Sequence, residues 1–199
     1  ATQVVFNNDG TKMFIVNHGN QKEIDYWSLT TAFDISTATH DGAFSISGQE
    51  ARANTIAFNN DGTRMFIAGA GGNDKLHRIH EYSLSTGFDL SSTVTHLNTE
   101  DLSSTHNYID GVTFNYDGTK MYTIRGSEHD NKISQFKLTT PYDVSTLSLE
   151  GTFDVSSVSA DSRELVFSND GSKMFIIDDS NDKVHEFNLS CNWSVIDGA

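Results

Sequence analysis

Four phenylalanines, Phe6, Phe58, Phe114 and Phe167, open near-identical stretches of this chain, and the residues just upstream are where those stretches disagree. Four positions before each stand Thr2, Asn54, Asp110 and Arg163, and three before stand Gln3, Thr55, Gly111 and Glu164. Asn54, Asp110 and Glu164 carry the amide and carboxylate oxygens that a hard cation such as Ca²⁺ takes, and Arg163 suits an acid or an anionic ligand. The same groups serve equally to hydrogen-bond water. Variation at one place on a repeated scaffold is where a ligand site is written.

Other chemistry is sparser. Asp178, Asp179, Asn181 and Asp182 form a second oxygen-rich cluster in the turn "DDSNDK", which matches the earlier turns "NHGNQKE", "GAGGNDK" and "GSEHDNK". It lacks the Gly and distal Glu of a calcium loop, which favours ordinary solvated turns. The histidines His18, His40, His77, His80, His96, His106, His129 and His185 form no pair at zinc-ligand spacing on a helix, although His80 and His185 share a column. There is no nucleophile elbow, phosphate loop or dinucleotide fingerprint. Cys191 stands alone, so no intrachain disulfide or Cys-based zinc site is expected. The sequons at Asn188 and Asn192 bear on glycosylation only along a eukaryotic secretory route. No residue set makes a positive case for an enzyme.

The elements that position these groups are legible in the repeat. "FNNDGTKMFIV" at Phe6 returns as "FNNDGTRMFIA", "FNYDGTKMYTI" and "FSNDGSKMFII", with Asp9, Asp61, Asp117 and Asp170 spaced by 52, 56 and 53 residues. A second landmark keeps step: "WSLTTAFDIS", "YSLSTGFDLS", "FKLTTPYDVS" and the divergent "FNLSCNWSVI". Asn8-Asp9-Gly10-Thr11 fits a type I turn with glycine in the left-handed region, the Asp accepting from turn N–H groups. In "KMFIV", Met13 and Ile15 face one side while Phe14 and Val16 face the other, so the strand lies between two layers. One unit reads as strand A "TIAFN", strand B "RMFIAG", a turn, strand C "RIHEYSL", a linker "STGFDLSS" and strand D "TVTHLNTEDL". Four antiparallel strands per unit predict an all-β fold, a β-propeller of four blade repeats of about 52–56 residues, the last incomplete. A β-solenoid has shorter coils, and no segment carries a helical apolar stripe. Strict repetition of Trp27, Tyr82, Phe136 and Phe187 places them in the core between blades.

The pattern F-x-x-D-G-x-[KR]-M-[FY]-[IVT], with its downstream aromatic-x-Leu, resembles the hairpin repeats of bacterial propellers of the YVTN and TolB type over almost the whole chain. That resemblance implies the fold and says little of function. The six-bladed calcium lactonases of the gluconolactonase group are similar in carrying acidic and amide residues at the channel mouth, where strand A would place Asn54, Asp110 and Glu164.

One propeller domain over 1–199 is expected, with blades at about 1–50, 51–106, 107–160 and 161–199. Two arrangements stay open: a compact four-bladed ring, or four blades of a larger propeller completed by further sequence or by a second copy in a homodimer. Thirteen Lys and Arg against 27 Asp and Glu leave a net charge of -14, which disfavours nucleic acid and anionic membrane surfaces. Few lysines and many Asn, Asp, Ser, Thr and Gly suggest a secreted or cell-surface protein. The functional expectation is a non-enzymatic binding or scaffold propeller. Its ligand, a protein, a glycan, a small molecule or Ca²⁺, is held at the loop face or at the channel-mouth residues. The alternatives are a calcium-dependent lactonase-like hydrolase and a structural module of a larger adhesin.

Overall fold

The computed structural model describes residues 1–17, 22–49, 52–69, 77–105, 108–125 and 131–197, which form two compact units, Ala1–Asp101 and Leu102–Ala199. His18, His106 and His129, and the B-to-C turns at 18–21, 70–76 and 126–130, lie outside the described residues. The first unit holds two four-stranded antiparallel sheets. One is β1 (Gln3–Phe6), β2 (Lys12–Val16), β3 (Glu23–Leu29) and β4 (Ala38–Ser45), and the other β5 (Ala53–Phe58), β6 (Arg64–Gly69), β7 (Arg78–Leu84) and β8 (Val94–Asp101). The second unit holds β9 (Gly111–Phe114), β10 (Lys120–Arg125), β11 (Lys132–Leu138) and β12 (Leu147–Asp154) in a third sheet. Its other sheet has three strands, β13 (Ser162–Phe167), β14 (Lys173–Asp178) and β15 (Lys183–Asn188). Each sheet runs in chain order, as hairpin-connected strands do, and the four are the blades of a β-propeller.

The hairpin forms as its residues dictate. In the second blade Asn59 N–H donates to the Arg64 carbonyl at 3.1 Å, and Gly62 N–H to the Asn59 carbonyl at 3.1 Å. Asp61 Oδ1 accepts from Thr63 N–H at 2.9 Å and from the Thr63 hydroxyl at 2.5 Å. Asn59 adds a contact the turn type alone does not demand, its Oδ1 accepting Arg64 N–H at 2.9 Å. Gly62 sits at φ +72° and Gly118 at +71°, where a Cβ is disfavoured.

A second constraint closes each blade. Phe88, in the linker between strands C and D, donates its N–H to the Gly62 carbonyl at 3.0 Å and lays its ring over the glycine. A Cβ on Gly62 would stand 2.2 Å from that ring. Phe33 over Gly10, Tyr142 over Gly118 and Trp193 over Gly171 repeat the arrangement. All four aromatics take φ between +56° and +59°, a strained choice for side chains of this size. The lock joins the A–B turn to the C–D linker, two sites separate in sequence.

Packing within each unit follows the two-faced central strand. In the first, Phe14, Val16 and Ile24 of blade 1 form one buried cluster with Ile56, Met65, Ile67 and Tyr82 of blade 2. In the second, Tyr122, Ile124 and Ile133 of blade 3 pack with Leu165, Met174 and Ile176 of blade 4. The same ring pairs recur: Phe14 on Phe58 at 4.7 Å and Tyr122 on Phe167 at 4.6 Å, then Phe44 edge-on to Tyr82 at 6.0 Å and Phe153 to Phe187 at 5.7 Å. Tyr82 and Phe136 are buried as their column predicts, whereas Trp27 is half-buried and packs on His40 of its own blade at 4.9 Å. The expectation of a central strand covered on both faces also fails in blade 4, where Ile177 is exposed.

Candidate functional site

Antiparallel pairing brings the start of strand A and the end of strand B to the same end of each blade. Thr2 N–H donates to the Val16 carbonyl at 3.0 Å, Ala53 pairs with Gly69, Asp110 N–H donates to the Ile124 carbonyl at 2.9 Å, and Ser162 pairs with Asp178. The variable upstream columns therefore sit beside a second variable column, Asn17, Gly69, Arg125 and Asp178. That column, different in every blade and polar in three of the four, is the sequence signal that points to Arg125 and Asp178, which the strand A columns omit.

In the first unit the candidate residues are engaged with the scaffold. Gln3 Oε1 accepts the backbone N–H of Ile56 at 2.6 Å, tying β1 to β5. The Thr2 hydroxyl lies 3.4 Å from the Val16 carbonyl. Asn54 occupies a register break between Ala53 and Thr55 and is half-buried, while Thr55 is buried. A bulge of this kind re-aims side chains. Asn17, Asp25 and His40 form a further group: Asn17 Nδ2 donates to Asp25 Oδ2, and His40 Nε2 lies 3.1 Å from Asp25 Oδ1.

The second unit gathers charge. A register break between Ser162 and Leu165 turns Arg163 and Glu164 out of the ladder. Arg163 Nη2 donates to Asp161 Oδ2 at 2.6 Å, its Nε lies 3.4 Å from Asp179 Oδ2, and its Nη1 lies 3.7 Å from Asp110 Oδ1. One guanidinium thus faces three carboxylates; Asp110 is nearly buried, while Asp179 stays largely in solvent. Glu164 lies against Gly111, where a Cβ would meet its Oε1 at 2.5 Å, and that oxygen accepts Leu165 N–H at 3.2 Å. The glycine in an otherwise polar column is room for the neighbouring blade's carboxylate. Beside this end, Arg125 is buried with its guanidinium 5.1 Å from the centre of the Tyr108 ring, and its Nε and Nη1 have no acceptor among the described residues.

In the "DDSNDK" turn residues 179–183 are exposed, as in an ordinary solvated turn, and only Asp178 turns inward. Asp178 is buried and accepts from the Ser180 hydroxyl at 2.6 Å, Asn181 Nδ2 at 2.9 Å and His185 Nε2 at 3.3 Å. Those hydrogen bonds, from Ser180 and Asn181 first, hold its carboxyl well below the usual range in spite of burial. Its neighbour Asp179 turns to Arg163, so these two acids are engaged within the protein while Asp182 is exposed. His80 and His185 share a column but not a role, since His80 Nδ1 lies 2.9 Å from the Thr99 hydroxyl. Burial, with the charges of His96 and Arg78, lowers His80 to a pKa of about 4.

Of the metal set expected from sequence, Asn54 belongs to the first unit and Asp110 and Glu164 to the second. Among the described residues, no three His, Cys, Asp or Glu side chains are arranged to hold a metal ion. Asp110 faces a guanidinium where a cation would bind. No helix among them is long and apolar enough to cross a membrane.

No family profile matches the sequence, and no curated protein matches it. Solved structures do. A candidate 6-phosphogluconolactonase of Bacteroides uniformis aligns over 93% of this chain and 49% of its own, with a TM-score of 0.63 and 13% identity. A second, from Bacteroides fragilis, aligns over 94% and 49% with a TM-score of 0.64 and 14% identity. The Cps50 (Swd1) β-propeller domain of Myceliophteria thermophila aligns over 94% and 52% with a TM-score of 0.57 and 7% identity. This chain spans about half the length of those structures, and identities so low show likeness of fold alone.

Proposed function

We propose that this chain is a non-enzymatic binding or scaffold propeller, of the YVTN and TolB type its hairpins resemble, which holds a polar partner at the variable ends of its blades. One observation carries the reading. Turns, locks and inter-blade rings repeat from blade to blade, while the residues that differ gather where strand A begins and strand B ends. Stability alone asks for no such variation, and half-buried polar groups there cost desolvation unless they are hydrogen-bonded or bind something. In the second unit the end presents Arg163, 45% exposed, and Asp179, 62% exposed, a donor and an acceptor set suited to a glycan or a polar peptide. A secreted or cell-surface location accords with the acidic, lysine-poor composition.

The second reading, a metal-dependent lactonase-like hydrolase, draws on likeness of fold to the candidate 6-phosphogluconolactonases. Asp110 and Glu164 do not fit a bound cation as they stand, because Arg163 already neutralises the first and the second lies on Gly111.

Glycan and peptide arrays probed with the wild type and with Arg163→Ala and Asp110→Ala test the proposal. The expected result is a ligand whose binding falls at least tenfold in both variants while circular dichroism is unchanged. Chelator-sensitive hydrolysis of δ-gluconolactone, lost in Asp110→Ala, would establish the hydrolase instead.

A further inference from the structure

Each unit contains one complete blade-to-blade interface, and the two are built alike. The outgoing face of a blade carries an aromatic and two aliphatic side chains, Phe14, Val16 and Ile24 in blade 1 and Tyr122, Ile124 and Ile133 in blade 3, all buried. The incoming face carries aliphatic residues on strands A and B and a ring on strand C. These are Ile56, Ile67 and Tyr82 in blade 2, and Leu165, Ile176 and Phe187 in blade 4.

Register extends these columns to two faces that lack a cover. The outgoing face of blade 4 is Phe175, Ile177 and Val184, with Val166 beside them. Val166 is 52% exposed, Ile177 47% and Val184 66%; the residues matching Ile177 and Val184 in blades 1 and 3 (Val16, Ile24, Ile124 and Ile133) are 0% exposed, and those matching Val166 (Val5 and Thr113) are half-buried. The incoming face of blade 1 is Val4, Ile15 and Trp27. Val4 is 51% exposed against 1% for its counterparts Ile56 and Leu165, and Ile15 and Trp27 are half-buried where Ile67 and Tyr82 are buried. Single exposed aliphatics are ordinary, but a contiguous sheet face of Val166, Ile177 and Val184 is not.

We propose that the occupant of each face is a second copy of this chain, joined head to tail, blade 4 of one copy seating on blade 1 of the next. The argument is complementarity: the uncovered faces are the two halves of a contact the chain already makes once in each unit, with the same residue columns on either side. Such an interface is heterologous, since different patches meet, and the chain carries both patches.

Light scattering on the purified 199-residue chain from micromolar to several hundred micromolar tests this. The expected mass is a multiple of 21.9 kDa that rises with concentration. Ile177→Lys with Val184→Lys blocks the outgoing face, and Val4→Lys with Ile15→Lys blocks the incoming one. Each variant alone is expected to be monomeric with wild-type circular dichroism. Mixing the two restores a 1:1 dimer, because each supplies the face the other has lost, a result that no symmetric face-to-face pairing gives. A variant that fails to fold is replaced by the single change at Val184 or Val4, both on open surface. A wild-type mass of 21.9 kDa at every concentration overturns the proposal, as does a mixture that stays monomeric.

Discussion

Substituting Gly62 by alanine tests the lock from two sides at once. The residue sits at φ +72°, so a Cβ costs about 1 kcal/mol in backbone strain. That Cβ would also stand 2.2 Å from Phe88 Cδ2, and the ring must leave. Phe88 then gives up its contact with Phe58, whose centroid is 5.2 Å away, worth about 1 kcal/mol, and part of its burial, worth about 1–2 kcal/mol more. The expected loss for Gly62→Ala is about 3–4 kcal/mol, read from urea unfolding followed by circular dichroism. The double variant Gly62→Ala/Phe88→Ala separates the parts. With the ring gone, only the backbone cost of about 1 kcal/mol remains on top of Phe88→Ala, a coupling of about 2 kcal/mol. Gly48→Ala is the control, since its Cβ meets nothing within 4 Å, and is expected within about 0.5 kcal/mol of wild type. Additive single and double variants, or a Gly62→Ala loss no larger than that of Gly48→Ala, would refute the lock.

His80 is buried and its pKa is lowered to about 4, so the unfolded chain binds more protons between that value and the ordinary 6.5. Stability should therefore fall as pH drops through this window, by on the order of 3 kcal/mol, and His80→Gln should flatten that part of a melting-temperature profile. A second acid limb lies lower. Thr and Ser donors in the hairpin turns depress Asp9, Asp61, Asp117 and Asp170, the last to about 2 from an ordinary 3.8. Their stabilisation is present above the ordinary value and is lost as pH falls through the folded one, so Asp170→Asn should lower the melting temperature at pH 6 and lose that penalty near pH 2. Arg163→Ala leaves Asp110, Asp161 and Asp179 without their shared cation and is expected to cost about 0.5–1 kcal/mol, since Arg163 and Asp179 are exposed and water screens the pairs. Millimolar CaCl₂ should restore the melting temperature of this variant and leave the wild type unmoved; an equal response in both would show that Arg163 does not hold the site.

Strands A to D of blade 2 are legible from sequence because the pattern "TIAFN" to "TVTHLNTEDL" satisfies turn chemistry and two-sided burial together, and the observed strands coincide with it within two residues. The lock was open to the same reasoning, since Phe33, Phe88, Tyr142 and Trp193 form a column, but nothing in local propensity places a large aromatic at positive φ. Only its packing on the glycine explains it. The candidate site was half legible. Position in the repeat located Asp110, Arg163 and Glu164 at one end of their blades, but a register break decides where Arg163 and Glu164 point, and a bulge leaves no mark in a polar stretch. Trp27 shows the limit of repetition as an argument: its column is buried at Tyr82 and Phe136, yet Trp27 is only half-buried and packs on His40 of its own blade.

The glycine–aromatic lock is closed entirely by residues of its own blade. Every blade therefore completes its internal contacts over short stretches of chain, and within each unit the two blades couple through the ring pairs and aliphatics of one face together with polar contacts such as Gln3 to Ile56 and Arg163 to Asp110. Stability then accrues blade by blade and neighbour by neighbour, and a duplication or deletion of one whole repeat leaves every surviving lock intact. The number of blades is free to drift in evolution while the blade itself is not.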